Sequence, residues 1–323
     1  MTWAGPLFLA VAAVGGAALL ARAAPRALVW PVALLTALAC LLAVHELLGR
    51  PVPLLRWSVI RLVLGRKTVL RDWQVGDGRE EDAARHVLGR TRPGDTDAVI
   101  RAIDEYACRR KFLINVGDEK GAILERAVAR VAPACALELG AYIGYSALRI
   151  VRRLPPGARL CSVESSPANA EIARRIIDHA GAADRVTVIV GSLGDGGKTM
   201  ARLEAEHGVR RAGLDLVFVD HSKDQYLPDL ERILGAGWLH PGSVVLADNL
   251  GFPGSPEYRR YMDAAEGKQW NTVRHRAHVE HQRLMPDLVF ESTFLAVTVA
   301  DQPRSGTQTV ADRFAGAGAR PGY

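Results

Sequence analysis

Two apolar runs in this chain end in acid: Leu216-Val-Phe-Val-Asp220 and Val244-Val-Leu-Ala-Asp248-Asn249. Short, continuous apolar runs of this kind suit strands buried on both faces, as in a parallel sheet. Ligands of open α/β sheets sit outside the carboxyl ends of such strands. Two strand ends can therefore bring three oxygens, from Asp220, Asp248 and Asn249, around one hard divalent cation. Further strand candidates lie at 134–139, 159–163, 186–190, 214–219 and 243–247, with helical periodicity near 96–110, 119–131, 145–153, 168–180, 198–207, 226–235 and 256–265. This alternation predicts an α/β fold, a mostly parallel sheet with helices on both faces. A last β-rich run, 290–299, would close an edge.

The N-terminal part obeys a different pattern. Residues 2–21 and 27–44 carry no charge, and Arg22-Ala-Ala-Pro25-Arg26 separates them. Each stretch is close to the roughly 20 residues that span a bilayer as a helix. The expectation is a transmembrane helical hairpin over 1–48, with spans 2–21 and 27–45. A signal peptide fits poorly, because Met1-Thr-Trp-Ala offers no positive n-region. Arg50, Arg56, Arg61, Arg66, Lys67 and Arg71 follow, and so dense a basic flank predicts the cytoplasmic side for everything after it. Residues 49–90 read as a juxtamembrane segment and a polar linker that runs into a helix by about Arg92, 91–300 as the catalytic domain and 301–323 as a disordered tail.

The net charge of +6 owes much to the basic flank, which suits anionic membrane lipid better than nucleic acid. The four cysteines, Cys40, Cys108, Cys135 and Cys161, form no CxxC pair. They fit reduced thiols in a cytosolic domain.

A cofactor turn precedes the acidic strand ends. In Glu138-Leu-Gly140-Ala-Tyr142-Ile-Gly144-Tyr145-Ser146, Gly140 lets the backbone turn sharply after a strand and Gly144 admits a close helix. It is not the G-x-G-x-x-G that cradles a pyrophosphate, which argues against a dinucleotide-dependent oxidoreductase. Glu164, at the next strand end, is placed to accept both hydrogen bonds of a ribose diol.

Taken together, Asn115-Val116-Gly117-Asp118-Glu-Lys120-Gly121, Leu137 to Ser146, Asp220-His221-Ser-Lys223-Asp224-Gln-Tyr226-Leu-Pro228 and Leu246-Ala-Asp248-Asn249-Leu-Gly-Phe-Pro253-Gly254 resemble catechol O-methyltransferases, including their membrane-bound form. The resemblance runs from about 90 to 299. It implies a Rossmann-like S-adenosylmethionine methyltransferase fold, S-adenosylmethionine as methyl donor, Mg²⁺ as the metal and a catechol-type small molecule as substrate. Asp220, Asp248 and Asn249 match the metal ligands of that family, Lys223 its general base, and Glu280 the carboxylate that holds the second catechol hydroxyl. Val116, Glu138, Tyr142, Ser146, Glu164, Ser192 and His221 fall on cofactor-pocket positions. Phe112, Ser222, Phe252 and Pro253 fall on the substrate mouth, where Phe112 and Ser222 each stand for a tryptophan. Leu193-Gly194 replaces the usual Ser-Gln beside the adenine. The rival expectation is a catalytically silent, membrane-tethered methyltransferase fold that binds or chaperones partners. Against it stands the complete set Asp220, Lys223, Asp248 and Asn249. Oligomeric state has no signature in the sequence.

Overall fold

A computed structural model describes residues 26–47 and 76–295. Its elements run α1 (Arg26–Leu47), α2 (Arg79–Leu88), α3 (Thr96–Arg109), α4 (Gly117–Val131), β1 (Cys135–Leu139), α5 (Tyr145–Val151), β2 (Arg159–Glu164), α6 (Pro167–His179), β3 (Val186–Val190), α7 (Lys198–His207), β4 (Leu214–Val219), α8 (Tyr226–Ala236), β5 (Leu239–Ala247), an irregular turn Leu250–Gly254, α9 (Pro256–Ala265), β6 (Trp270–Val279) and β7 (Gln282–Phe294).

The sheet has seven strands in the order β3-β2-β1-β4-β5-β7-β6. The first five are parallel, and β7 runs antiparallel to both β5 and β6. Successive side chains of a strand face opposite ways, and each face has its own core. Ala136, Leu160, Leu216, Phe218, Val244 and Leu246 pack beneath α2 to α6, while Leu137, Leu139, Val163, Val217, Val219 and Val245 pack beneath α7, α8 and α9. Burial on both sides explains why β1, β2, β4 and β5 read as mostly apolar runs.

The chain reverses its strand order between β1 and β4, the kind of junction where an open α/β sheet offers a crevice. Here the ladders step outward: the Asp220 N–H donates to Leu139 O at 2.9 Å, and the Asp248 N–H to Val219 O at 3.1 Å. Those two bonds set both acids side by side at the strand ends. Gly140 makes this possible, with φ +99°, because a Cβ there would lie 2.3 Å from the Asp220 carbonyl oxygen.

Three expectations need correction. The last sheet element is a hairpin, with β7 ending at Phe294 and β6 beside it. The β6 sequence Trp270–Val279 escaped notice because its charged residues, Arg274 and Arg276, alternate along an edge strand where half the positions face water. β5 begins at Leu239, since the His240-Pro241-Gly242 stretch, which looks like a turn, is absorbed in a register shift against β4. The helix into which the polar linker runs is α2, and its Arg79 and Glu80 are buried where a polar linker would leave them solvated.

The first expected span, 2–21, lies outside the described residues. The second falls on α1, where side chains are described only at 30, 31 and 33–41 and where Trp30, Leu34, Leu35, Leu38 and Leu41 are exposed. Among the described residues no helix is long and apolar enough to cross a membrane.

Gly140→Ala should cost more than Gly157→Ala. Gly157 also has positive φ but open space around it, so alanine there meets only the left-handed backbone penalty of about 1–2 kcal/mol. Thermal melts should rank the two variants in that order; equal melting temperatures would deny the close approach of β1 and β4.

Candidate active site

A cleft of about 980 Å³ opens over the carboxyl ends of the parallel strands. Tyr142, Glu164, Ser192 and His221 line one part of it, and Asp220, Lys223, Asn249 and Glu280 another. Phe112, Ser222, Phe252 and Pro253 border it as well. Thus most of the residues singled out in the sequence meet in one place. Four do not border the cleft. Val116 lines a neighbouring cavity of about 600 Å³, whereas Glu138, Ser146 and Asp248 are buried in the protein around the strand ends.

Glu164 ends β2 and is nearly covered. Its carboxylate accepts the backbone N–H groups of Tyr142 and Ser166, each at 2.8 Å, so the turn after β1 holds it in place. Burial pushes its pKa up against the pull of those bonds. Glu138 is fully buried and receives the Ser162 hydroxyl; burial pushes it to about 7. His221 Nε2 is 2.9 Å from Asp229 Oδ2, and its ring stacks on Tyr226 at 5.2 Å.

At the other end, four carboxylates crowd together: Asp220, Asp248, Glu280 and Asp287. Two ammonium groups face them. Lys120, buried in the first turn of α4, lies 2.9 Å from Asp248, 2.8 Å from Glu280 and 2.9 Å from Asp287. Lys223 Nζ donates to Asp220 Oδ1 at 3.0 Å and Asn249 Oδ1 at 3.1 Å, and also to the Tyr226 hydroxyl. With all four acids ionised the cluster keeps two negative charges in excess. Burial, the largest influence, accordingly pushes Asp220 up and Asp248 to about 8, even with both lysines opposing it. Asp287 goes the other way: burial alone would raise it, but the Lys120 charge and several N–H donors hold it below the usual range. Lys120 itself is raised well above the ordinary lysine value, because the charges of Asp248, Glu280 and Asp287 outweigh its burial.

The fit to a hard divalent cation rests on these features. Asp248 Oδ2 is buried and, although near Lys120, has no hydrogen bond of good geometry. The donors at hand are carboxylate and amide oxygens, which suit Mg²⁺. Among the described residues no group of three or more His, Cys, Asp or Glu side chains could hold a metal; the candidate set here is two aspartates and an asparagine.

Several participants had no signal that periodicity could catch. Lys120, beside Asp118 and Glu119, and Asp287 lie in stretches that look solvated, and only their burial shows their weight. The start of α2 also holds two residues that line the cleft, Phe112 and Tyr142. Arg79 pairs with Asp77 and donates to the Phe112 carbonyl at 2.6 Å, and the Tyr142 hydroxyl donates to Glu80 at 2.9 Å.

The sequence profile described as O-methyltransferase matches residues 97–267. The chain belongs to the O-methyltransferase family. It is 52% identical over 234 residues to a probable O-methyltransferase of Mycobacterium tuberculosis, covering 72% of this chain and 100% of that protein. It is 37% identical to the catechol O-methyltransferase of Mus musculus, with 66% of this chain and 78% of that protein covered. It is 39% identical to a transmembrane O-methyltransferase of Homo sapiens, with 81% and 85% covered. Among solved structures it resembles an O-methyltransferase from Bacillus cereus in complex with SAH, at 20% identity and a TM-score of 0.48, over 73% of this chain and 99% of that one.

Removing the buried ammonium by Lys120→Met should destabilise the protein by about 3–5 kcal/mol at neutral pH, since acids would be left buried and uncompensated. The lowered pKa of Asp287 means its stabilising contribution is present above the ordinary aspartate value of 3.8 and is lost as pH falls through its folded value. The gap between wild type and variant should therefore narrow in acid. Denaturant titrations across pH would check this, and a gap independent of pH would contradict the charge account.

Proposed function

We propose that this O-methyltransferase transfers a methyl group from S-adenosylmethionine to one hydroxyl of a catechol, with Mg²⁺ at Asp220, Asp248 and Asn249. One observation carries the reading: Asp220, Asn249 and Lys223 share a single cleft with Glu164 and Tyr142, so an acidic, lysine-bearing pocket adjoins a pocket with the chemistry for a ribose. S-adenosylmethionine would supply an electrophilic methyl, and the bound cation would acidify a hydroxyl and fix its place.

The residues divide the work. Glu164 offers acceptor oxygens for a ribose diol, oriented by the amides of Tyr142 and Ser166. Lys223 Nζ, held beside Asp220, Asn249 and Tyr226, is the group to receive the hydroxyl proton, which it would do as the uncharged amine, becoming the ammonium as the phenolate oxygen takes the methyl. Glu280 Oε1 is held by Lys120 and the Asn249 amide, ready to accept a hydrogen bond from the second hydroxyl. Phe112, Phe252 and Pro253 offer apolar surface to a flat ring, and Ser222 keeps the mouth open.

We also read the N-terminal part as a membrane anchor. The support lies in the sequence, where residues 2–21 and 27–44 carry no charge and each comes close to the roughly 20 residues of a spanning helix. The basic flank after it favours a cytoplasmic catalytic domain. A human relative that the chain covers to 85% is named a transmembrane enzyme.

Lys223→Ala should lower turnover by about 10²–10⁴-fold, the usual size of general-base loss, while leaving the affinity for S-adenosylmethionine within about twofold. Single-turnover kinetics at saturating Mg²⁺ paired with calorimetry would test this. Wild-type turnover in the variant would remove Lys223 from the chemistry.

A further inference from the structure

One buried carboxylate outside the cleft lining holds together parts that the reaction needs. Asp287 lies on the antiparallel strand β7 and is 2% exposed. Its Oδ1 accepts the backbone N–H groups of Gly251 at 2.9 Å, Phe252 at 3.0 Å and Leu288 at 2.8 Å. Its Oδ2 accepts Lys120 Nζ at 2.9 Å and Asn249 Nδ2 at 3.0 Å.

Both sets of bonds reach the site. The two ends of an asparagine amide have nearly the same shape, so partners decide which atom faces where. An ionised carboxylate only accepts, so Asp287, with Glu280 at 3.1 Å, draws in the Asn249 NH₂. The amide oxygen is left facing Lys223 and the acid site. The other carboxylate oxygen ties down the turn that carries Phe252 and Pro253 into the cleft. That turn packs against β7 so tightly that a Cβ on Gly251 would lie 2.9 Å from Asp287 Cα.

We propose that Asp287 is a positioning residue that couples the cation ligand Asn249 to the substrate-mouth turn 250–254. The proposal rests on the reading of the site as a Mg²⁺-assisted O-methyltransferase. Asp287 touches neither cleft nor substrate; it acts through Asn249, Lys120 and the turn. A residue that merely satisfied buried amides would affect stability and nothing else.

The test uses the full-length chain in detergent, with Mn²⁺ as a spectroscopic probe of cation binding in the presence of S-adenosylhomocysteine, so that no turnover is needed. Asp287→Asn keeps an acceptor for the turn but sets an NH₂ against donors. It should weaken Mn²⁺ at least about tenfold, as loss of an outer-sphere partner does, and leave KM for 3,4-dihydroxybenzoate within about twofold. Asp287→Ala should weaken Mn²⁺ and, by freeing the turn, also raise that KM. Should either variant fail to fold, Asp287→Glu, which keeps the charge but displaces it by one methylene, should show the Mn²⁺ defect. Wild-type Mn²⁺ affinity and KM in the folded variants, with only the melting temperature lowered, would overturn the proposal. Absence of Mn²⁺ binding by the wild type would instead overturn the cation reading on which it stands, and the proposal with it.

Discussion

Everything at the carboxyl end of this sheet is arranged around an unfavourable fact: four acids share one small buried volume. Two lysines cannot neutralise them, and burial pushes Asp220 and Asp248 upward in pKa. An isolated buried charge costs far more than any single contact returns. The fold tolerates the cluster by bringing two ammonium groups to it from different elements: Lys120 from the first turn of α4 and Lys223 from the loop before α8. On the proposed reading, a hard dication held by these oxygen donors would offset the surplus of negative charge.

The same junction joins the acids to the cofactor side. The turn after β1 does two things at once: its Gly140 allows β4 to end with Asp220 close by, and its Tyr142 amide orients Glu164 at the end of β2. A shift in the β1 turn would therefore disturb Glu164 and the acid cluster together. The start of α2 secures the outer wall, through Arg79 to the Phe112 carbonyl and Glu80 to the Tyr142 hydroxyl.

Much of this is written locally in the chain. The strands β1 to β5 are short apolar runs because they are buried on both faces, and that pattern survives without knowledge of the fold. Asp220, Asp248, Asn249 and Glu164 are legible because strand ends are where such sheets bind. Lys120, Asp287, Arg79 and Glu80 are not, since a buried ion pair and a solvated charge have the same sequence; only long-range packing separates them. β6 is hidden for a related reason: its outer positions carry the charges of an edge strand, which protect it from pairing with other chains and erase the apolar signal. The resemblance to catechol O-methyltransferases assigned roles to the cleft residues, and the packing now explains how neighbours without assigned roles hold them.

The most direct test of the central claim, that the acid cluster and the cofactor cleft form one Mg²⁺-assisted methyltransferase site, is transfer of a labelled methyl group. The full-length protein in detergent would be given labelled S-adenosylmethionine with a catechol or the matching monophenol, with Mg²⁺ or with excess EDTA. The account predicts a methylated catechol only when Mg²⁺ is present, and no product from the monophenol. Equal methylation of both phenols in EDTA would contradict it.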